Sequence, residues 1–239
     1  MNNKQELPIH PLTQEFNEGK VLLINKPLRW TSFDVVNKLR YATRAKKVGH
    51  AGTLDPLATG LVILCTGKFT KRIDEFQAQE KEYTGTITLG ATRPSYDMET
   101  EIDQEYSTEH ITDDLIYAAT AQFTGVIEQI PPSYSAIKVD GQRSYKAARE
   151  GKPIELKSRQ VEITEFEITG IEMPHVHFRV VCSKGTYIRT LAYDFGRSLN
   201  SGAYLGALCR TRIGEFLLKD AEEIDAFVEK VKEIRNPQE

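Results

Sequence analysis

The 239-residue chain is poor in several features, and each shortage excludes a class of protein. It has three cysteines, Cys65, Cys182 and Cys209, odd in number and far apart. That argues against a disulfide scaffold and fits a reducing cytoplasm. No apolar run approaches the roughly 20 residues of a membrane span, and the first 20 residues, MNNKQELPIHPLTQEFNEGK, are polar and show no secretory signal. There is no internal repeat and no low-complexity tract. Metal-ligand clusters are scarce: His175 and His177 share a strand face, but no Cys or His partners stand nearby, so no metal site is expected. Thr66-Gly67-Lys68 has the end of a phosphate-loop pattern without its upstream glycine spacing or its following Ser/Thr.

The composition that is present, 40% apolar and 27% charged, supports a sizeable core. The net charge of −3 hides an uneven spread. Residues 20–72 hold eleven basic and two acidic side chains, residues 73–130 two and thirteen, and residues 131–212 thirteen and eight. Two separated basic segments suit a polyanion, and solvated surface lysines would look the same.

Apolar spacing predicts strands at Val21–Asn25, Leu61–Leu64, Tyr83–Leu89, Val161–Thr169 and Val176–Cys182. It predicts helices from Thr31/Ser32 to about Thr43, through Phe69, Ile73 and Phe76, over Thr112–Phe123, over Ser144–Glu150, from Ile188 to Leu199 and from Ile224 to Ile234. Arg44–Gly60 and Ser95–Glu109 read as loops, and Asp140-Gly141 as a hairpin turn. Strands and helices without regular alternation indicate an α+β fold with a mixed or antiparallel sheet. No interdomain linker is evident. The proline-bounded, basic Pro131–Arg159 reads as an excursion from the core.

One segment stands out: Gly49-His50-Ala51-Gly52-Thr53-Leu54-Asp55-Pro56-Leu57-Ala58-Thr59-Gly60. Its glycines permit close approach of another chain. Pro56 biases Asp55 to an extended backbone, so a lone carboxylate is fixed in a loop that feeds a buried strand. Spacing alone leaves a plain capping role for Asp55 equally open.

This segment resembles the signature of the TruB-type pseudouridine synthases. Further segments match that family in order: Asn25-Lys26-Pro27, Lys81-Glu82-Tyr83, Gln129-Ile130-Pro131-Pro132-Ser133-Tyr134-Ser135-Ala136-Ile137-Lys138, Ser183-Lys184-Gly185-Thr186-Tyr187-Ile188-Arg189-Thr190, and Gly202–Arg210 with Leu208. The resemblance runs from about Gly19 to Gly214. It implies a pseudouridine synthase fold, a mixed and largely antiparallel sheet flanked by helices and loops, in a single catalytic domain over 1–239. Its core would span about 19–214, with an RNA-gripping insertion at about 131–159 and a short strand–helix tail at 215–239. Ala51 stands where the family usually has Thr, and Arg93-Pro94-Ser95-Tyr96-Asp97-Met98-Glu99 replaces a loop richer in Thr, Asp and Gly. Asp97 keeps an acidic position without an assigned role. After Gly214 only 25 residues remain, so the family's usual C-terminal RNA-binding domain is expected to be missing.

The implied activity turns uridine into pseudouridine at position 55 in the T loop of tRNA, with no cofactor and no metal. The resemblance makes Asp55 catalytic, with Arg189 paired to it. It has Tyr83 stacking on the flipped base, Tyr187 and Leu208 lining the pocket, His50 meeting RNA, and Lys26 supporting the site or meeting phosphate. The implied partner is the tRNA T stem-loop, with no guide RNA and no membrane, for a cytoplasmic monomer. Rival readings are a non-catalytic tRNA-binding or folding protein on the same scaffold, and a guide-dependent modifier of ribosomal RNA.

Overall fold

The structure is a computed structural model that describes residues 10–135, 137–139, 141–152, 154 and 156–236. The chain opens with α1 (Pro11–Glu18), β1 (Val21–Lys26), α2 (Ser32–Thr43), β2 (Val48–His50) and β3 (Ala58–Thr66). A 3-10 turn, Gly67–Arg72, enters α3 (Ile73–Ala78), followed by β4 (Lys81–Leu89), β5 (Ala91–Thr92) and β6 (Gln104–Glu105). Next come α4 (Asp113–Ala119), β7 (Gly125–Gln129), β8 (Lys138–Val139), β9 (Gln142–Arg143) and α5 (Ser144–Arg149). The chain then forms β10 (Arg159–Glu172), β11 (His175–Cys182), α6 (Ile188–Ser198) and β12 (Ala203–Ile213). It closes with β13 (Phe216–Leu217), β14 (Glu222–Glu223) and α7 (Ile224–Arg235).

Two compact units emerge, one from residues 1–79 with 211–239, the other from residues 80–210. In the first, β1 lies antiparallel to β3 and parallel to β14, and β2 pairs antiparallel with β3. Its core gathers Ala51, Leu61, Ile63, Cys65, Phe76 and Ile213. Thr31 caps α2 in a capping box: Asp34 N donates to Thr31 Oγ1 at 3.0 Å and Thr31 N to Asp34 Oδ2 at 2.8 Å. The helix ends on Arg44 in the left-handed region.

In the second unit β12, β4, β11, β10 and β7 lie side by side. The pairs β4–β11, β11–β10 and β10–β7 are antiparallel. Gly85 has a packing reason: a Cβ there would stand 2.5 Å from Ala207 O on β12. Phe166 packs edge-on against Phe178 and Phe195, with ring centroids 6.1 and 5.6 Å apart. His175 and His177 bond through Nδ1 across the β4–β11 pair to Thr88 and Thr86.

The architecture is mixed and largely antiparallel, as expected, with local corrections. Arg44–Gly60 is a loop only in part, because β2 and the first residues of β3 fall inside it. Gly202–Arg210, unassigned from its pattern, is most of β12; the flanking strand specifies it, not its own alternation. The polar N-terminal stretch includes α1, which buries Leu12 and Phe16. Asp140 of the predicted turn lies outside the described residues, while β8 and β9 on either side pair as a hairpin.

Candidate active site

Asp55 sits half-buried at a turn closed by Ala58 N donating to Asp55 O at 3.1 Å. The backbone on both sides of it is held. Ser32, buried at the start of α2, accepts from Leu54 N at 2.9 Å and donates to Leu54 O at 3.2 Å. Pro56 O accepts from Arg29 N at 2.8 Å. The Lys26 ammonium donates to Trp30 O at 2.6 Å, Pro27 O at 3.0 Å and Pro56 O at 3.4 Å. Lys26 is fully buried, and a buried ammonium is tolerated only when its donors find acceptors. The three carbonyls tie the ammonium to the backbone that leads into α2 and to the residue after Asp55. His50 ends β2 opposite Leu64 and is half-buried. Ala51 is fully buried in the apolar cluster, so a methyl suits this chain where the family usually carries a hydroxyl. Cys65, in the same cluster, has its thiol pushed up to about 11 by burial and is core.

In the second unit the first turn of α6 is gripped from its side chains and its backbone. The buried Gln129 carboxamide donates to Tyr187 O at 3.0 Å and accepts from Tyr187 N at 2.9 Å. Thr190 Oγ1 donates to Ile130 O at 3.1 Å. Arg189, 4% exposed, donates from Nη1 to Tyr134 O at 2.8 Å and Ser95 O at 3.3 Å. Its Nε lies 3.7 Å from Asp97 Oδ2. Asp97 is itself buried, and its Oδ1 accepts from Glu99 N at 2.9 Å. The loop that carries it is fastened by Leu205 N donating to Tyr96 O at 2.9 Å. It is also fastened by a Tyr96–Tyr193 stack at 4.0 Å, one helical turn beyond Arg189. Asp97, which the sequence left without a role, is therefore a charged neighbour of Arg189. Its only signal was an acidic side chain at a matching position.

Tyr83 is buried on β4 opposite Val180. Lys81, two residues earlier on the same face, is buried too; loss of water, then repulsion from Arg210, lowers its pKa to about 8. Its register partner Cys182 is pushed up to about 12, mainly by burial. The Tyr187 ring is half-buried under the Arg159 guanidinium, 4.6 Å from the ring centroid. Leu208 is half-buried on β12. Lys26, His50 and Asp55 belong to the first unit, and Lys26 reaches the Asp55 loop there. Tyr83, Tyr187, Arg189 and Leu208 belong to the second, where Arg189 meets Asp97.

Residues 40–188 match the family described as TruB family pseudouridylate synthase (N terminal domain). The matched range includes His50, Asp55, Tyr83, Asp97 and Tyr187 and stops one residue short of Arg189. A Flavobacterium johnsoniae protein named tRNA pseudouridine synthase B is 58% identical over 226 residues, covering 92% of this chain and 99% of its own. A Phocaeicola vulgatus protein of the same name is 56% identical over 220 residues, covering 90% and 94%. Among solved structures, a chain from a Cbf5-Nop10-Gar1 complex superposes with a TM-score of 0.74 at 26% identity. That match covers 100% of this chain but spans only 63% of the solved one. Among the described residues no helix is long and apolar enough to cross a membrane.

Proposed function

The chain belongs to the TruB family of pseudouridylate synthases, and from that premise we propose that it isomerises uridine to pseudouridine at position 55 in the T loop of tRNA. The glycosidic bond from N1 breaks, the uracil turns in place, C5 bonds to the ribose carbon and gives up its proton, and N1 ends protonated. The product is an isomer of the substrate, so the reaction calls for no redox partner and no group donor. The target uridine leaves its stack first, at a cost of a few kcal/mol that pocket contacts return.

Asp55 supplies the carboxylate that acts at the sugar, as nucleophile on C1′ or as base at C2′. The observation that carries this assignment is the loop itself. Ser32 holds the residue before Asp55, and Lys26 with Arg29 holds the carbonyl of the residue after it. Such fixing lets a side chain meet a reacting atom without reorganising. Lys26 acts as a positioning group. Arg189 pairs with and orients the catalytic carboxylate, and Asp97 in turn orients Arg189. Tyr83 stacks on the flipped base, worth roughly 1–3 kcal/mol. His50, Tyr187 and Leu208 shape the surroundings of that base. The 131–159 segment grips the RNA.

The enzyme works as a monomer in the cytoplasm, on tRNA alone and without guide RNA. Support for the stand-alone reading comes from relatives named for tRNA that match this chain over nearly their whole length. The decisive experiment incubates unmodified tRNA with the protein alone and probes chemically for pseudouridine. Asp55→Asn is expected to fold, to bind tRNA and to lose at least about 10³-fold in turnover, as loss of a covalent or acid–base catalyst does. Turnover retained in that variant sinks the role of Asp55. Wild-type protein that binds tRNA and leaves it unmodified selects the non-catalytic alternative.

A further inference from the structure

The inner face of α2 is accounted for, since Ser32, Val35, Val36, Leu39 and Thr43 are all buried. The outer face has no role in the chemistry above. At 3.6 residues per turn, Phe33, Asn37, Arg40, Tyr41 and Arg44 fall within an arc of about 100°. Phe33 is 64% and Tyr41 87% exposed. Asn37, Arg40, Tyr41 and Arg44 line an open cleft of about 480 Å³ that ends at Ala45. A face meant only for water rarely groups two large exposed aromatic rings with two arginines.

The stretch that carries this cleft is predominantly basic, with Lys38 lying 3.8 Å from Asp225 of α7. Between Arg29 and His50 there are six basic residues and one acidic residue. That acid, Asp34, is engaged in the helix cap, accepting from Thr31 N and Thr31 Oγ1. Behind the helix end, Arg235 donates to Thr43 O at 2.6 Å. Its pKa is lowered, first by burial and then by the charge of Arg44. Two guanidinium groups close enough to repel are the arrangement that an incoming anion relieves. The cleft is also placed for a substrate of the first unit. Ser32, which holds Leu54 beside Asp55, opens the same helix. Tyr41 lies nine residues further on, roughly 14 Å along the helix axis at 1.5 Å per residue.

We propose that the outer face of α2 is a phosphodiester-binding surface for the tRNA beyond its reacting loop. Arg40 and Arg44 take successive phosphates, and Tyr41 stacks against a sugar or base. The inference rests on the tRNA reading above, and its test separates the two. Binding of a full-length tRNA transcript is measured over a range of salt concentrations for the wild type, for Arg40→Gln/Arg44→Gln and for Tyr41→Ala. Thermal melts verify that these exposed substitutions leave the fold intact. The double variant is expected to bind at least ten-fold more weakly, with KM raised and kcat at saturating tRNA unchanged. Its plot of log affinity against log salt should be shallower by about 1.4–1.8, since each lost phosphate contact removes about 0.7–0.9. Tyr41→Ala is expected to lose about ten-fold in affinity with the slope unchanged. Wild-type protein that binds tRNA while all variants match it in affinity and slope overturns the proposal alone, as does a cleft that captures a protein instead. Wild-type protein that neither binds nor modifies tRNA overturns the tRNA reading beneath it.

Discussion

The Asp55 loop and the Arg189 pocket solve the same problem, fixing a functional side chain, by opposite means. Asp55 is fixed through its own backbone. The residues that hold the loop, Lys26, Arg29 and Ser32, all precede it by 30 positions or fewer. Arg189 is fixed through its side chain, by Tyr134, Ser95 and Asp97, which lie 55 or more positions away. Short-range scaffolding leaves a contiguous motif in the sequence. Long-range scaffolding leaves single residues scattered across segments whose spacing says nothing. Both use main-chain carbonyls as acceptors, and the second adds one particular carboxylate, Asp97, beside the guanidinium.

The contrast can be tested by removing one support at a time. The largest effect on turnover is expected from Asp97→Asn, which keeps the shape but removes the charge beside the Arg189 guanidinium. We expect kcat to fall about 100-fold, equivalent to roughly 2.7 kcal/mol, with KM little changed. Single-turnover kinetics with saturating tRNA would read this, and unaltered kcat would show that the ion pair is structural only. Lys26→Met comes next. It takes the ammonium from three carbonyls inside the protein, of which Pro56 O keeps Arg29 N, so stability should drop by about 2 kcal/mol and turnover by about ten-fold. Denaturant melts paired with the same kinetics check it, and a variant of full stability would deny the ammonium its supporting role. Ser32→Ala removes one hydroxyl that serves both backbone groups of Leu54. A loss of about 1 kcal/mol and a few-fold in kcat is expected, and a variant that melts and turns over like the wild type would discount this support.

Lys81 gives the smallest effect on turnover and a distinct effect on stability. Its folded pKa of about 8 lies below the ordinary lysine value of 10.5. Below pH 8 both folded and unfolded chains carry the proton, and the cost of burying the charge is fully present. Between pH 8 and 10.5 the unfolded chain binds more protons, so this contribution to stability rises with pH. Wild type should therefore gain on Lys81→Met across that window, by no more than about 1.4 kcal/mol per pH unit. A difference that stays constant from pH 7 to 10.5 would contradict the lowered pKa.

Much of this arrangement is legible in the chain. Thr31, Ser32 and Asp34 announce the start of α2 because a capping box is made within four residues. The alternation from Tyr83 to Leu89 announces β4 because a half-buried strand repeats every second residue. The β12 strand escapes such reading, since its fit beside β4, with Ala207 O against Gly85, is a property of the neighbour. Asp97 escapes for a similar reason: an acidic residue in a polar loop carries no mark of the arginine 92 positions later that needs it.

The sequence by itself marked the Asp55 loop as a fixed stretch of backbone, because Gly, Pro and a cap-forming helix start are local constraints on the backbone and act within a few residues. It also determined the family, through motifs kept in order. Tertiary structure alone decided what surrounds those motifs. It buried the Lys26 ammonium against three carbonyls, and it set the Arg189 guanidinium beside Asp97. Both outcomes follow from desolvation: a charge taken out of water must find partners, and which partners are within reach is known only once the chain has folded.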